Sequence, residues 1–117
     1  MRVIGPDPAD IGGIAELKWV AEHAHMHSIL MAPHGTANGL LGLGALINVC
    51  ATLPANYIAF EYPSASDPWW EDLVIGLPSP IVRDSMVDLL EAPGLGLDID
   101  ADAARKYLRQ EDAGFFD

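Results

Sequence analysis

The chain has one cysteine, Cys50, in 117 residues. No disulfide framework can form within it, and there is no thiol pair for a zinc site. A reducing, cytoplasmic setting fits that usage. Basic residues are also scarce. Six lysines and arginines stand against 17 acidic residues, giving a net charge of −11, and only Lys18 and Lys106 among the six are lysines. Such a surface repels phosphate backbones and anionic headgroups, so no nucleic acid and no membrane is expected as a partner. A lysine-poor acidic surface would suit a high-salt cytoplasm, where added charge is screened; ordinary acidity is the preferred explanation. Long apolar runs are missing. The longest, residues 40–53, is broken by Gly42, Gly44 and Asn48, too short and too interrupted to span a bilayer. The opening Met1-Arg2-Val3-Ile4-Gly5-Pro6 holds no apolar stretch of signal-peptide length, so no such leader is expected.

Half of the residues are hydrophobic, which supports a packed domain and not a disordered tail. Their pattern alternates between two kinds of element. Arg2-Val3-Ile4 is a short extended run closed by Gly5-Pro6-Asp7-Pro8, where the two prolines leave a strand end or turn. Asp10 can cap the helix that follows. Residues 14–27 read as that helix, with Ile14, Leu17, Ala21 and Ala24 on one face. Residues 28–32 form a buried strand that stops at Pro33-His34-Gly35. A second helix is expected over residues 38–52. Leu40, Leu43, Ile47 and Cys50 share a face that Leu41, Ala45 and Val49 broaden. Tyr57-Ile58-Ala59-Phe60 is a third strand, ending on Glu61. Strands separated by helices are β/α units, whose chemistry sits at the C-terminal strand ends.

Three ionisable residues occupy those ends: Asp7, His34 and Glu61. Each is separated from the next by 27 residues, about the length of one β/α unit. Equal spacing puts them at corresponding heights on neighbouring strands. An aspartate beside a histidine fixes the imidazole tautomer and raises its basicity. A glutamate on the next strand, if protonated or bridged, can donate to a developing oxyanion. Read this way, the three residues are a proton-transfer row. The alternative is three unrelated polar residues of the kind common at strand ends.

Four stretches carry a resemblance to a known family: Pro6-Asp7-Pro8-Ala9-Asp10-Ile11-Gly12-Gly13-Ile14, Ala32-Pro33-His34-Gly35, Phe60-Glu61-Tyr62 and Pro93-Gly94-Leu95-Gly96. Together they resemble the C-terminal part of the enolase superfamily, in particular its mandelate racemase-like acid-sugar dehydratases such as galactonate dehydratase. The resemblance implies an α/β fold: a C-terminal fragment of a TIM-like barrel, strands six to eight within residues 1–62, and a C-terminal extension over 63–117 that packs on barrel or capping domain. It also implies Mg²⁺-dependent dehydration of a small-molecule sugar acid through an enediolate. Asp7 and His34 would be the family's dyad at the ends of strands six and seven, with His34 the general base or acid. Glu61, ending strand eight, would hydrogen-bond the enediolate. The family's Mg²⁺ ligands precede the first residue here, so none is assigned in this chain. A (β/α)₈ barrel needs about 200–250 residues, so the chain alone is expected to be inactive, with an open edge at its first strand. The full-length form is expected to be a homo-oligomer. A racemase or cycloisomerase of the same superfamily, or a non-catalytic truncated remnant, are the alternatives.

Other features carry less. His23, His25 and His27 alternate, and His23 with His27 has i, i+4 metal spacing. Their place at a helix end, where histidine complements the dipole, is the preferred reading, since no acidic third ligand accompanies them. Gly39, Gly42 and Gly44 match no phosphate loop, nor does Gly12-Gly13. Trp69-Trp70 reads as packing of the extension, and Cys50 as a small buried hydrophobe. Pro93 to Leu97 is rich in turn residues, and a short helix is expected over residues 103–109, led in by Asp100.

Overall fold

The computed structural model describes residues 2–35, 39–62 and 70–117, with the backbone alone at Trp70. The loop at residues 63–68, the expected helix start at Asn38 and the Trp69-Trp70 rings lie outside what it describes. β1 (Val3–Ile4) pairs in parallel with β2 (Leu30–Met31), Val3 opposite Leu30 and Ile4 opposite Met31. The ladder runs beyond these short strands: Leu30, Ala32 and His34 donate their N–H groups to Arg2, Ile4 and Pro6. On the other edge of β2, Met31 N–H donates to Asn56, Ile58 N–H to Met31, and Glu61 N–H to Pro33. The expected strand at residues 57–60 is thereby reduced to one parallel bridge, Met31 to Tyr57. The next residue on that edge is Pro33, which has no N–H to give.

The helices lie between the strands. The turn expected at residues 6–8 is in fact the start of a one-turn helix, α1 (Pro8–Ile11), and its cap is Asp7. Proline at the first helical position loses nothing, because that N–H has no intrahelical partner anyway. Asp10 therefore sits inside α1 and caps nothing; Gly12, with a left-handed φ of 112°, ends it, and Gly13 leads into α2 (Ile14–Met26). Leu17, Ala21 and Ala24 of α2 are buried as expected, while Ile14 is 41% exposed.

α3 (Gly39–Cys50) follows β2 and has buried residues nearly all round: Leu40, Leu43, Gly44, Leu46, Ile47, Val49 and Cys50. It serves two clusters at once. Leu46, Val49 and Cys50 pack with Leu17, Ala21, Ala24 and Met31. Leu40, Leu43 and Ile47 pack with Ile81 from the C-terminal segment. A helix wedged between two apolar neighbours needs no polar face. Each fully buried leucine contributes about 1.5–3 kcal/mol relative to exposure, so α3 is the main brace of the strand ends.

The C-terminal segment is more regular than its sequence suggests. A 3-10 turn (Trp70–Leu73) leads into β3 (Val74–Ile75), which pairs antiparallel with β6 (Asp98–Ile99). β4 (Val82–Arg83) and β5 (Met86–Val87) form a hairpin. Its two turn residues, Asp84 and Ser85, have φ of 50° and 62°, the pairing that a tight hairpin turn demands. The helix expected at 103–109 is α4 (Ala101–Arg105), capped by Asp100, whose carboxylate accepts from Ala103 N–H at 2.9 Å. It starts earlier than expected because Asp100 is the cap itself. The segment is tied back onto α3 by Asn48, whose Nδ2 donates to Gly44 O at 2.8 Å and to Leu95 O at 3.0 Å.

Candidate active site

Asp7 stands where β1 gives way to α1, and its side chain is 3% exposed. Its two oxygens have different tasks. Oδ1 accepts from Ala9 N–H at 2.8 Å, capping α1. Oδ2 lies 3.2 Å from His34 Nδ1. An ionised carboxylate can only accept, so the proton of this bond belongs to Nδ1. The neutral imidazole then carries its lone pair on Nε2, the atom that faces away from Asp7.

His34 is delivered by the Pro33-His34-Gly35 turn, and its backbone is pinned by the N–H bond to Pro6 O at 3.1 Å. Gly35 is required behind it. A Cβ at that position would collide with the side chain of Leu46, so the turn rests directly on α3. The imidazole is 38% exposed. On its open side, Nε2 lies 3.5 Å from Glu61 Oε2, and the Glu61 side chain is 61% exposed. That gap exceeds an ordinary N–H···O bond, and the exposed carboxylate can move. The geometry is therefore a buried acid, a half-buried base and an exposed acid in a row; His34 and Glu61 are held by backbone N–H bonds to Pro6 O and Pro33 O on the neighbouring strand ends, and Asp7 by its place at the start of α1. Asp7, His34 and Glu61 are all brought together, as their spacing led one to expect. The row can hold and move a proton at Nε2, and Glu61 can approach the same reacting group from the third strand.

The row does not fit a magnesium ion. Mg²⁺ demands an octahedron of oxygens, whereas Asp7 is committed to Ala9 and His34. Among the described residues no group of three or more His, Cys, Asp or Glu side chains is placed to hold a metal.

Two residues that matter here belong to no motif in the sequence: Asn56, in the turn after α3, and Asn48, inside α3. Asn56, 6% exposed, donates from Nδ2 to Ala21 O at 3.2 Å and Ile29 O at 2.9 Å. It ties the end of α2 to the start of β2 and so sets the register of the strand that carries His34. Asn48 does the equivalent for the C-terminal segment. Cys50 is a buried hydrophobe: burial pushes its thiol up to about 12, with a hydrogen bond to Tyr57 opposing. Tyr57 is likewise raised to about 12, by burial first and then by Cys50. The Tyr62 hydroxyl is raised by burial and by the charge of Glu71.

Residues 1–103 match the family described as enolase C-terminal domain-like. The chain is 35% identical to a D-xylonate dehydratase of Haloferax volcanii over 106 residues, covering 91% of this chain and 25% of that protein. It is 27% identical to an o-succinylbenzoate synthase of Bacillus subtilis, over 95% of this chain and 29% of that protein. The crystal structure of a mandelate racemase/muconate lactonizing enzyme-like protein from Rubrobacter xylanophilus superposes with a TM-score of 0.73 at 36% identity. That likeness covers 86% of this chain and 25% of the other. The chain thus spans a quarter to three-tenths of the length of the curated relatives it matches.

Proposed function

Because the chain belongs to the enolase superfamily as an enolase C-terminal domain-like segment, we propose that its Asp7–His34–Glu61 row is the proton-transfer part of a sugar-acid dehydratase. The observation that supports this most is the contact of His34 Nδ1 with buried Asp7 at 3.2 Å, which leaves Nε2 facing outward beside Glu61. In this reading His34 Nε2 exchanges a proton with the substrate carbon next to the carboxylate. Asp7 holds the ring in the reactive tautomer. Glu61 meets the oxygen on which charge develops and donates to it when protonated. The likeness to a D-xylonate dehydratase favours an aldonic acid such as xylonate or galactonate as substrate.

Enolase-superfamily enzymes generally use Mg²⁺, which as a Lewis acid stabilises an ene-diolate when bound. The described donors do not fit it, so the reading assigns the metal to the part of the relatives that this chain does not cover, and assigns residues 63–117 to the extension that returns over the barrel. The chain alone is then inactive. A reducing cytoplasm suits the lone, protonated Cys50, and the whole protein is expected to assemble as a homo-oligomer. Among the described residues no helix is long and apolar enough to cross a membrane.

The test is to incubate the protein carrying this chain with Mg²⁺ and a panel of aldonic acids and to assay for 2-keto-3-deoxy acids. Loss of water from one or more of them is expected. Racemisation or ring opening without dehydration would replace this reading with the second one, a racemase or cycloisomerase. The likeness to a mandelate racemase/muconate lactonizing enzyme-like protein favours that second reading. No turnover of any acid would point to a non-catalytic remnant.

A further inference from the structure

The three histidines at the end of α2 take no part in the row, and the structure separates them. His23 and His27 face one another, with ring centroids 4.5 Å apart and planes inclined at 50°. His25 points elsewhere, into a shallow depression it shares with Lys18, Glu22, Met26, Thr52 and Pro54. We propose that His23 and His27 form a two-imidazole chelate for a borderline-soft divalent transition-metal ion of the Zn²⁺ class, with water filling the remaining positions.

Residues four apart lie on one helix face, one turn above the other, which is why paired histidines at this spacing can share an ion. The rings here are already neighbours, with centroids 4.5 Å apart, so both donors start on the same side of the helix. Both histidines are exposed, and an arriving ion keeps part of its water. His27 is the C-cap of α2; its own N–H donates to Ala24 O, and the next N–H, of Ser28, donates to His25 O, so the backbone of the second ligand is fixed. The pair sits at the negative end of the helix dipole, where a cation is favoured, on a chain of net charge −11. The absence of an acidic third ligand among the described residues limits the site to two protein donors, and two suffice for an open site. Imidazole selects Zn²⁺, Ni²⁺ or Cu²⁺ over Mg²⁺, which prefers oxygen.

The test uses the ¹⁵N-labelled chain at pH about 7.5, where imidazole is neutral, titrated with ZnCl₂. One ion is expected to bind per chain, the ring resonances of His23 and His27 moving together while those of His25 and His34 stay. The thermal midpoint should rise with Zn²⁺ and not with Mg²⁺. His23→Gln and His27→Gln, both at exposed positions, should each abolish the binding, and His25→Gln should leave it intact. The proposal is overturned by an absence of binding up to about 1 mM Zn²⁺, by binding that survives in either single variant, or by binding that disappears in His34→Asn.

Discussion

Asp7 uses one carboxylate oxygen on the backbone of α1 and the other on the imidazole of His34. The two roles can be separated by substitution. Asparagine caps a helix as well as aspartate does, but its amide nitrogen donates where the carboxylate accepted. Asp7→Asn should therefore leave the thermal midpoint nearly unchanged while inverting the His34 tautomer, read as exchange of the protonated and bare nitrogens in ¹⁵N spectra. Asp7→Ala should lose both the tautomer preference and about 0.5–2 kcal/mol of stability. If Asp7→Asn leaves the ring nitrogens as they were, Asp7 does not set the tautomer. Cys50 is the opposite kind of residue: a thiol raised to about 12 is a poor nucleophile. The native chain should resist alkylation at neutral pH and react only once unfolded; prompt labelling of native protein would show that the thiol is reachable and ionised.

The elements that carry the row rest on α3. Gly35→Ala forces a Cβ onto Leu46 and should cost about 1–3 kcal/mol. Leu46→Ala in the same chain should relieve part of that cost while opening its own cavity, so the double variant should be more stable than the sum of the singles predicts. Strict additivity would mean that the turn does not press on α3. The strand tips were legible because an apolar run that stops at Pro-His-Gly has one reading, and because 27 residues is the pitch of a β/α unit. Helix α1 was hidden because proline at a helix start and proline in a turn look alike in sequence; the backbone bond from Ile11 N–H to Asp7 O, with the Ala9 N–H cap, distinguishes them. Strands β3 to β6 were hidden for another reason. Two residues per strand cannot display an alternation, so these pairs exist through contacts such as Asp100 N–H to Leu73 O, which no local pattern announces. Asn48 reads only as a polar break in the apolar run of a helix, and Asn56 as part of the turn that follows it, yet both act as amide clamps between distant backbones.

Across the whole molecule, charge and proton balance give two further expectations. A net charge of −11 repels itself, so raising salt from about 0.05 to 0.5 M should raise the unfolding midpoint by screening; a flat or falling response would show that the acidic residues are locally compensated. Burial raises Cys50 and Tyr57 above their unfolded values of 9.0 and 10.0. Groups raised in this way favour the fold fully below those values and lose that contribution as pH climbs toward about 12. Stability should therefore decline through that alkaline window, and less steeply in Cys50→Ala. The same molecule brings three residues, 27 apart in sequence, to the C-terminal end of a small parallel sheet, with His34 at the centre between a buried and an exposed carboxylate. The measurement that tests this most directly is exchange of the substrate's α-proton with D₂O by the protein carrying this chain, compared with its His34→Asn variant. Asparagine cannot shuttle a proton, so exchange and dehydration should fall together by about 10²–10⁴-fold while the fold is retained. A folded His34→Asn protein that exchanges the proton at the original rate would contradict the account.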